Sequence, residues 1–239
     1  MSHDGPYGWS GDVPPDIASM PADVLSDVPT VLDVLPDGRE TVVIGDVDGL
    51  ADFTHPQGDN PYGFLGTCGL CSCEGILRQF GIEVTEADVV EHAIHHGECH
   101  ISDDPTACGG TTVGDQVAIL GDYGVPAHYE TGGSLEDLAA GLEQGRGIII
   151  ETNAGVLWDD INAYDNGQIN HAIVATGVAR DPSTGEIQGF YVNDSGTGEA
   201  GRFVDAATMR EAWMDPGGVS VVTDIVRAGT PAAPGPSAG

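Results

Sequence analysis

GTCGLCSCEGILRQFG, residues 66–81, sets three of the chain's five cysteines into the opening turns of an amphipathic segment. Cys73, Ile76, Leu77 and Phe80 recur at i, i+3, i+4 and i+7, one buried stripe of a helix that begins at Thr67 or Cys68. A thiol in the first turn of a helix feels the positive end of the helix dipole and unpaired backbone N–H groups, and both favour the reactive thiolate. The same N–H groups can hold the oxyanion of a tetrahedral intermediate. Cys68 stands where that field is strongest, Cys71 lies one turn further in, and Cys73 belongs to the buried stripe. The other reading of this segment is three small core residues, because free cysteine is commonly buried.

Outward from this helix the sequence divides into a helical part and a strand part. Thr85 with Asp88 three residues on is a variant capping pattern that announces a helix running to about His96. A third helix follows Gly109–Thr112, carries Val113, Val117, Ile119 and Leu120, and ends before Gly124, which suits a left-handed cap. A fourth runs from Ser134, a good N-cap, to Gly145. The period then changes: 147–152, 171–178 and 187–193 read as strands, with a turn at 181–185 between the last two. Short strands at 203–204 and 219–223 flank a helix over 206–213, and 41–45 (TVVIG) reads as one further strand. Helices first and strands second predict an α+β fold rather than alternating βαβ units.

Two strand ends carry polar chemistry. In INHAIVATGV (169–178) His171 opens an apolar strand directly after a polar loop, so its ring can project at the sheet edge and accept a thiol proton. A lone histidine at such a place is also commonly a satisfied structural residue. In GFYVNDSGTGEAG (189–201) Asn193 and Asp194 end the next strand, where antiparallel pairing would bring a carboxylate or amide beside the His171 ring. Nucleophile, base and orienting group thus follow one another in chain order.

GTCGLC before a helix, NHAIVATGV and NDSGTGEAG together resemble the signature blocks of papain-like cysteine peptidases, and the CG at the helix start resembles the bacterial C39-like members. The resemblance covers about residues 55–225. It implies a split α+β fold, with a helical half carrying the nucleophile, an antiparallel sheet half carrying His and its partner, and the substrate in the cleft between them. It puts the base on His171 and the orienting group on Asp194, with Asn193 as alternative. Aligned to the C39-like pattern the nucleophile is Cys68; aligned to the plant-type pattern it is Cys71, and the position at the helix start favours Cys68. The family's oxyanion-hole Gln is expected about six residues before the nucleophile, where this chain has Tyr62 for Cys68 or Leu65 for Cys71. Gln57 can supply that donor only if the intervening loop folds back. The Trp that plant-type enzymes carry after their Asn-Ser is missing as well. The implied activity is thiol-dependent hydrolysis of an amide or peptide bond, without a cofactor, on a peptide or protein substrate. Deamidation by a papain-fold effector and silent peptide binding are the rival readings.

Composition bounds the rest. With 38 Asp+Glu against 7 Lys+Arg, all of them Arg, the formal charge is −31. Such a chain repels phosphate backbones and anionic lipid, which argues against nucleic-acid and membrane partners, and it suits high ionic strength, a halophilic type of composition. Neither an apolar span nor a secretory signal is expected, MSHDGPYGWSGDVPPD having no basic or apolar region. The odd cysteine count excludes a fully paired disulfide framework and points to a reducing cytoplasm, with leaderless export open and a Cys99–Cys108 bridge conditional on it. Residues 1–50 are expected to form an N-terminal arm, 51–227 the hydrolase domain and 228–239 a disordered tail. His92, His95, His96, Cys99, His100 and Cys108 are dense in ligand types, and His92 and His96 lie one turn apart. No four-ligand spacing completes a zinc site, so we read them as surface residues and expect no metal. GDVDG (45–49) likewise completes no calcium loop. Substrate preference and oligomeric state are not legible.

Overall fold

A computed structural model describes residues 28–227. Seven α-helices and eight strands follow in the order β1 (Thr30–Val34), β2 (Glu40–Gly45), α1 (Val47–Leu50), α2 (Cys68–Gln79), α3 (Glu86–His96), α4 (Val113–Asp122), β3 (Ala127–Glu130), α5 (Leu135–Glu143), β4 (Arg146–Thr152), α6 (Ala154–Trp158), β5 (His171–Arg180), β6 (Ile187–Asp194), β7 (Glu199–Asp205), α7 (Ala206–Met209) and β8 (Ser220–Val226). One π-type turn, Arg210–Met214, extends α7. The fold is α+β, built on one antiparallel sheet.

The sheet is ordered β1-β2-β5-β4-β8-β3, with β6 on β5 and β7 on β6. β5 is its axis. One edge of β5 pairs with β4 over 171–175 and then with β2 over 177–180, while the other edge carries β6. The two middle strands are buried on both faces, which is why they read as unbroken apolar runs. Period-two alternation still sorts their side chains. Ile149, Ala172, Val174 and Val221 face α2, α3 and α4, whereas Ile148, Ile150, Ile173 and Val178 face α5, α7 and Trp213. The fourth expected helix, α5, therefore lies across the sheet from the other three, although its stripe of Leu135, Leu138, Ala139 and Leu142 is as regular as theirs.

The helix starts are closed by their own side chains. Thr85 with Asp88, Thr112 with Asp115 and Ser134 with Asp137 each form a reciprocal capping box. Gly124 takes a left-handed φ of 85° just past α4, as its place in the sequence predicts.

The expected arm over 1–50 needs correcting where it is described. β1 and β2 form a hairpin, and β2 continues the main sheet by pairing with β5, so the sheet begins well before residue 51. The remainder of that arm, 1–27, and the tail 228–239 lie outside the described residues. GDVDG is an Asp46-capped turn of helix α1. Cys99 and Cys108 are both free thiols, and Cys108 Sγ donates to Ser102 O at 3.0 Å instead. Among the described residues no helix is long and apolar enough to cross a membrane.

Candidate active site

Cys68 is the first residue of α2, and its N-cap neighbour Thr67 makes no side-chain cap. The Thr67 hydroxyl instead donates to Glu86 Oε1 at 2.7 Å. The first-turn N–H groups of α2 are thereby left without the usual capping oxygen, and they open where Cys68 does. Gly69 follows for a steric reason: a Cβ there would run into Thr111 Oγ1 and reach within 2.9 Å of Gln116 Nε2. Cys68 is partly exposed and lines a cavity of about 570 Å³ together with Gln57, Trp158, Asn170 and His171.

His171 enters from the other half, as the first residue of β5, paired with Thr152 of β4. Its ring is buried, and Nε2 lies 2.7 Å from Asp194 Oδ1. Nδ1 is the nitrogen that remains for the Cys68 thiol, which lines the same cavity. Burial works against a charged imidazole here, but the hydrogen bonds to Asp194 and Cys68 and the charges behind them outweigh it and raise His171 to about 9. Asp194, at the end of β6, is also buried. Burial penalises its charge, yet the His171 ring, Trp158 Nε1–H (2.7 Å to Oδ2) and Gly196 N–H (2.9 Å to Oδ1) hold the carboxyl below its ordinary value.

Trp158 is the residue that sequence reasoning missed. It stands at the end of α6, with its ring 5.0 Å from that of His171 in an edge-on arrangement. The indole absent after Asn193–Asp194–Ser195 is thus supplied from another segment. No local signal marks it, because the segment that follows, 159–170 (DDINAYDNGQIN), is rich in Asp and Asn and reads as loop. Gly196 makes room for this packing: a Cβ there would meet both the Trp158 ring and His171 Cε1, the latter at 2.9 Å.

The alternatives separate on geometry. Asn193 is next to Asp194 on a strand and so points to the opposite face. Its Nδ2 donates to Leu50 O and its Oδ1 accepts from Gly201 N–H, away from the imidazole. Cys71 is buried and outside the cavity lining, and burial together with the Glu86 and Glu74 carboxylates pushes its thiol well above the ordinary range. Cys73 is fully buried and shifted upward for the same first reason.

Gln57 does reach the cavity. The loop folds back because Glu86, buried at the start of α3, accepts from Gly58 N–H, Asp59 N–H and Asn60 Nδ2 as well as from Thr67. Gln57 N–H bonds Ser195 O, tying the same loop to the strand half. Its side-chain Nε2 donates to Leu65 O at 2.6 Å, which uses one of its two protons. On the cavity wall, Gln116 Nε2 donates to Glu151 Oε1 at 2.6 Å, and burial raises the Glu151 carboxyl.

A helix-borne thiol that meets a sheet-borne imidazole and carboxylate across a cleft, in an α+β frame, belongs to the papain-like class. The chain is a member of the Peptidase_C39 like family, which matches residues 46–221. Among solved structures it is similar to a C39-like peptidase from Bacillus anthracis, at 17% identity over 73% of this chain and 98% of that one, with a TM-score of 0.49. It is also similar to a double glycine motif protease from an AMS/PCAT transporter, solved in complex with the leader peptide, at 18% identity over 66% of this chain and 84% of that one, with a TM-score of 0.44. No curated protein matches it. Family and fold are those of a peptidase.

Proposed function

We propose that the protein hydrolyses an amide bond in a peptide or protein through Cys68, His171 and Asp194. The observation that carries this reading is a partly exposed first-turn thiol that lines one cavity with a buried imidazole, whose Nε2 is held at 2.7 Å by a buried carboxylate. Cys68 passes its proton to His171 Nδ1 and its sulfur attacks the carbonyl. The charge that develops on oxygen is met by the first-turn N–H groups of α2 and by the remaining proton of Gln57 Nε2. His171 then gives its proton to the leaving amine, which departs and leaves a thioester on Cys68. Water, deprotonated by the same ring, releases the acid and restores the thiol. Asp194 keeps the ring oriented and favours its charged form, while Trp158 and Gly196 fix Asp194. No step requires a cofactor. The five free thiols favour a reducing compartment.

Alkylation by iodoacetamide, followed for each cysteine by mass spectrometry against pH, tests the pair. Cys68 is expected to react fastest, and to slow at neutral pH in His171→Ala. A fast Cys71 would move the nucleophile one turn. Five ordinary thiols, with peptide affinity retained in Cys68→Ala, would leave a silent peptide-binding module.

A further inference from the structure

Away from the cleft, at the far ends of α3 and α4, four ligand-type side chains converge. His92 and His96 are one turn apart on a single face of α3. Gly97 ends that helix in the left-handed conformation (φ 72°), and Glu98 N–H bonds back to Ala93 O at 2.8 Å, a reversal that returns the Glu98 side chain to the same face. Asp122, the last residue of α4, approaches from the neighbouring helix. The donor atoms of His92, His96, Glu98 and Asp122 all lie within 4.8 Å of one another.

Two features set this group apart. His92 Nε2 stands 3.4 Å from Glu98 Oε2 and 3.2 Å from Asp122 Oδ2, and His96 Nδ1 stands 3.1 Å from the same Asp122 oxygen. A zinc ion with bonds of about 2.0–2.1 Å sets tetrahedral ligand atoms about 3.3 Å apart, so these separations are those of one coordination shell. Next, His92 Nε2 and Glu98 Oε2 are both shielded from solvent and make no hydrogen bond, although they are within ion-pair range of each other. Donors that meet at a common centre do this; donors that bond each other do not. The two imidazoles stack at 4.1 Å and 19°, so one ring has to turn about its χ2 for both in-plane lone pairs to reach a common ion.

We propose that His92, His96, Glu98 and Asp122 form a structural site for a divalent transition cation, of which zinc is the representative. Two imidazole nitrogens select against calcium and magnesium, which take all-oxygen shells. Four protein ligands leave no open position for substrate, so the ion would clip rather than catalyse. Two neutral imidazoles and two carboxylates exactly balance a dication, in a chain where further negative charge is costly. The clip joins α3 to α4, both of which pack on α2 through Val89, Val90, Ile119 and Leu120. The sequence shows half of this site, the His92/His96 pair; Glu98 depends on the reversal at Gly97, and Asp122 on how α4 docks. The second convergent group, His55, Cys71 and Glu74, differs because both His55 nitrogens are already engaged, by Glu74 at 2.7 Å and Pro56 O at 2.9 Å.

The test is calorimetric titration of zinc into full-length, chelator-stripped protein carrying Cys68→Ala, which removes the cleft thiol as a competing ligand and makes the result independent of the peptidase reading. One tight equivalent and a raised Tm are expected. His96→Gln and Asp122→Asn should each weaken binding by about tenfold or more, since even outer-shell changes cost that much, whereas His55→Gln should not. His96 and Asp122 are both part-exposed, with side chains 49% and 43% accessible, so these variants should fold, as circular dichroism will verify. Absence of a tight equivalent, or a tight equivalent insensitive to His96→Gln and Asp122→Asn, overturns the assignment. Loss of binding in His55→Gln alone would overturn it too, by moving the ion to the group beside Cys71.

Discussion

His171 is the residue on which the proposed chemistry and its pH dependence both turn. Its folded-state value of about 9 lies above the ordinary 6.5. The charged ring therefore contributes stability that is fully present below about pH 6.5 and is lost as pH rises through about 9. Asp194 has the opposite sign: its carboxyl is held below 3.8, and its contribution fades only as pH falls through that lowered value. Turnover should follow the imidazolium, because the leaving amine needs its proton. Peptide hydrolysis is expected to decline through about pH 9, while Cys68 alkylation, which needs only thiolate, does not. Asp194→Asn keeps a hydrogen-bonding shape but removes the negative charge, so the alkaline limb should move down by about one pH unit or more. Rate profiles of the unsubstituted protein and Asp194→Asn against pH check this, and an unmoved limb would mean that Asp194 does not set the state of the ring.

At the scale of elements, the loop 55–66 depends on one carboxylate. Glu86 is 1% exposed and accepts from two backbone amides, Asn60 and Thr67. Glu86→Ala strands these donors in the interior and should cost on the order of 3 kcal/mol in a urea titration. It should also lower kcat, by releasing Gln57 and the start of α2. A variant that lost stability while keeping kcat would separate the loop from the chemistry. Little of this is legible in the sequence, and what is legible follows a physical pattern. The capped helices announced themselves because Thr85–Asp88 and Ser134–Asp137 close their ends within four residues of sequence. His171 and Asp194 were readable because a short turn makes β5 and β6 antiparallel neighbours. What escaped was decided at long range. β2 joins β5 across more than a hundred residues, and the stripe of α5 does not say which sheet face it covers. α6 is held by Asn153 Nδ2 bonding Tyr164 O and Gln168 O, a tertiary arrangement without local periodicity. The same limit hid Trp158 and left Glu98 and Asp122 among 38 acidic residues.

The whole molecule carries a formal charge of −31, and its seven cations cannot offset it locally. Arg39, Arg78, Arg180 and Arg202 already sit against carboxylates, and the half-buried Arg227 donates to Gly145 O. Most acidic groups therefore face one another across solvent, where repulsion opposes the compact state. Two salt effects then compete. Screening weakens the few exposed ion pairs, each worth about 0–1 kcal/mol, and it weakens the far more numerous repulsions. With 38 acids to 7 cations the second must win. Tm should rise from low ionic strength to about 1 M KCl, as the Debye length shrinks from about 30 Å at 0.01 M to about 3 Å. Each kcal/mol of relieved repulsion is worth about 2–4 °C in a protein of this size. Because screening is nearly complete once the Debye length falls below the spacing of surface charges, most of the gain should come before 1 M. A solute excluded from the surface, such as sucrose, should instead stabilise in proportion to its concentration. Thermal melts across a KCl series, repeated in sucrose, discriminate the two. A Tm that is flat in KCl, or that climbs only at the highest concentrations as it does in sucrose, would mean that charge repulsion does not limit the stability of this fold.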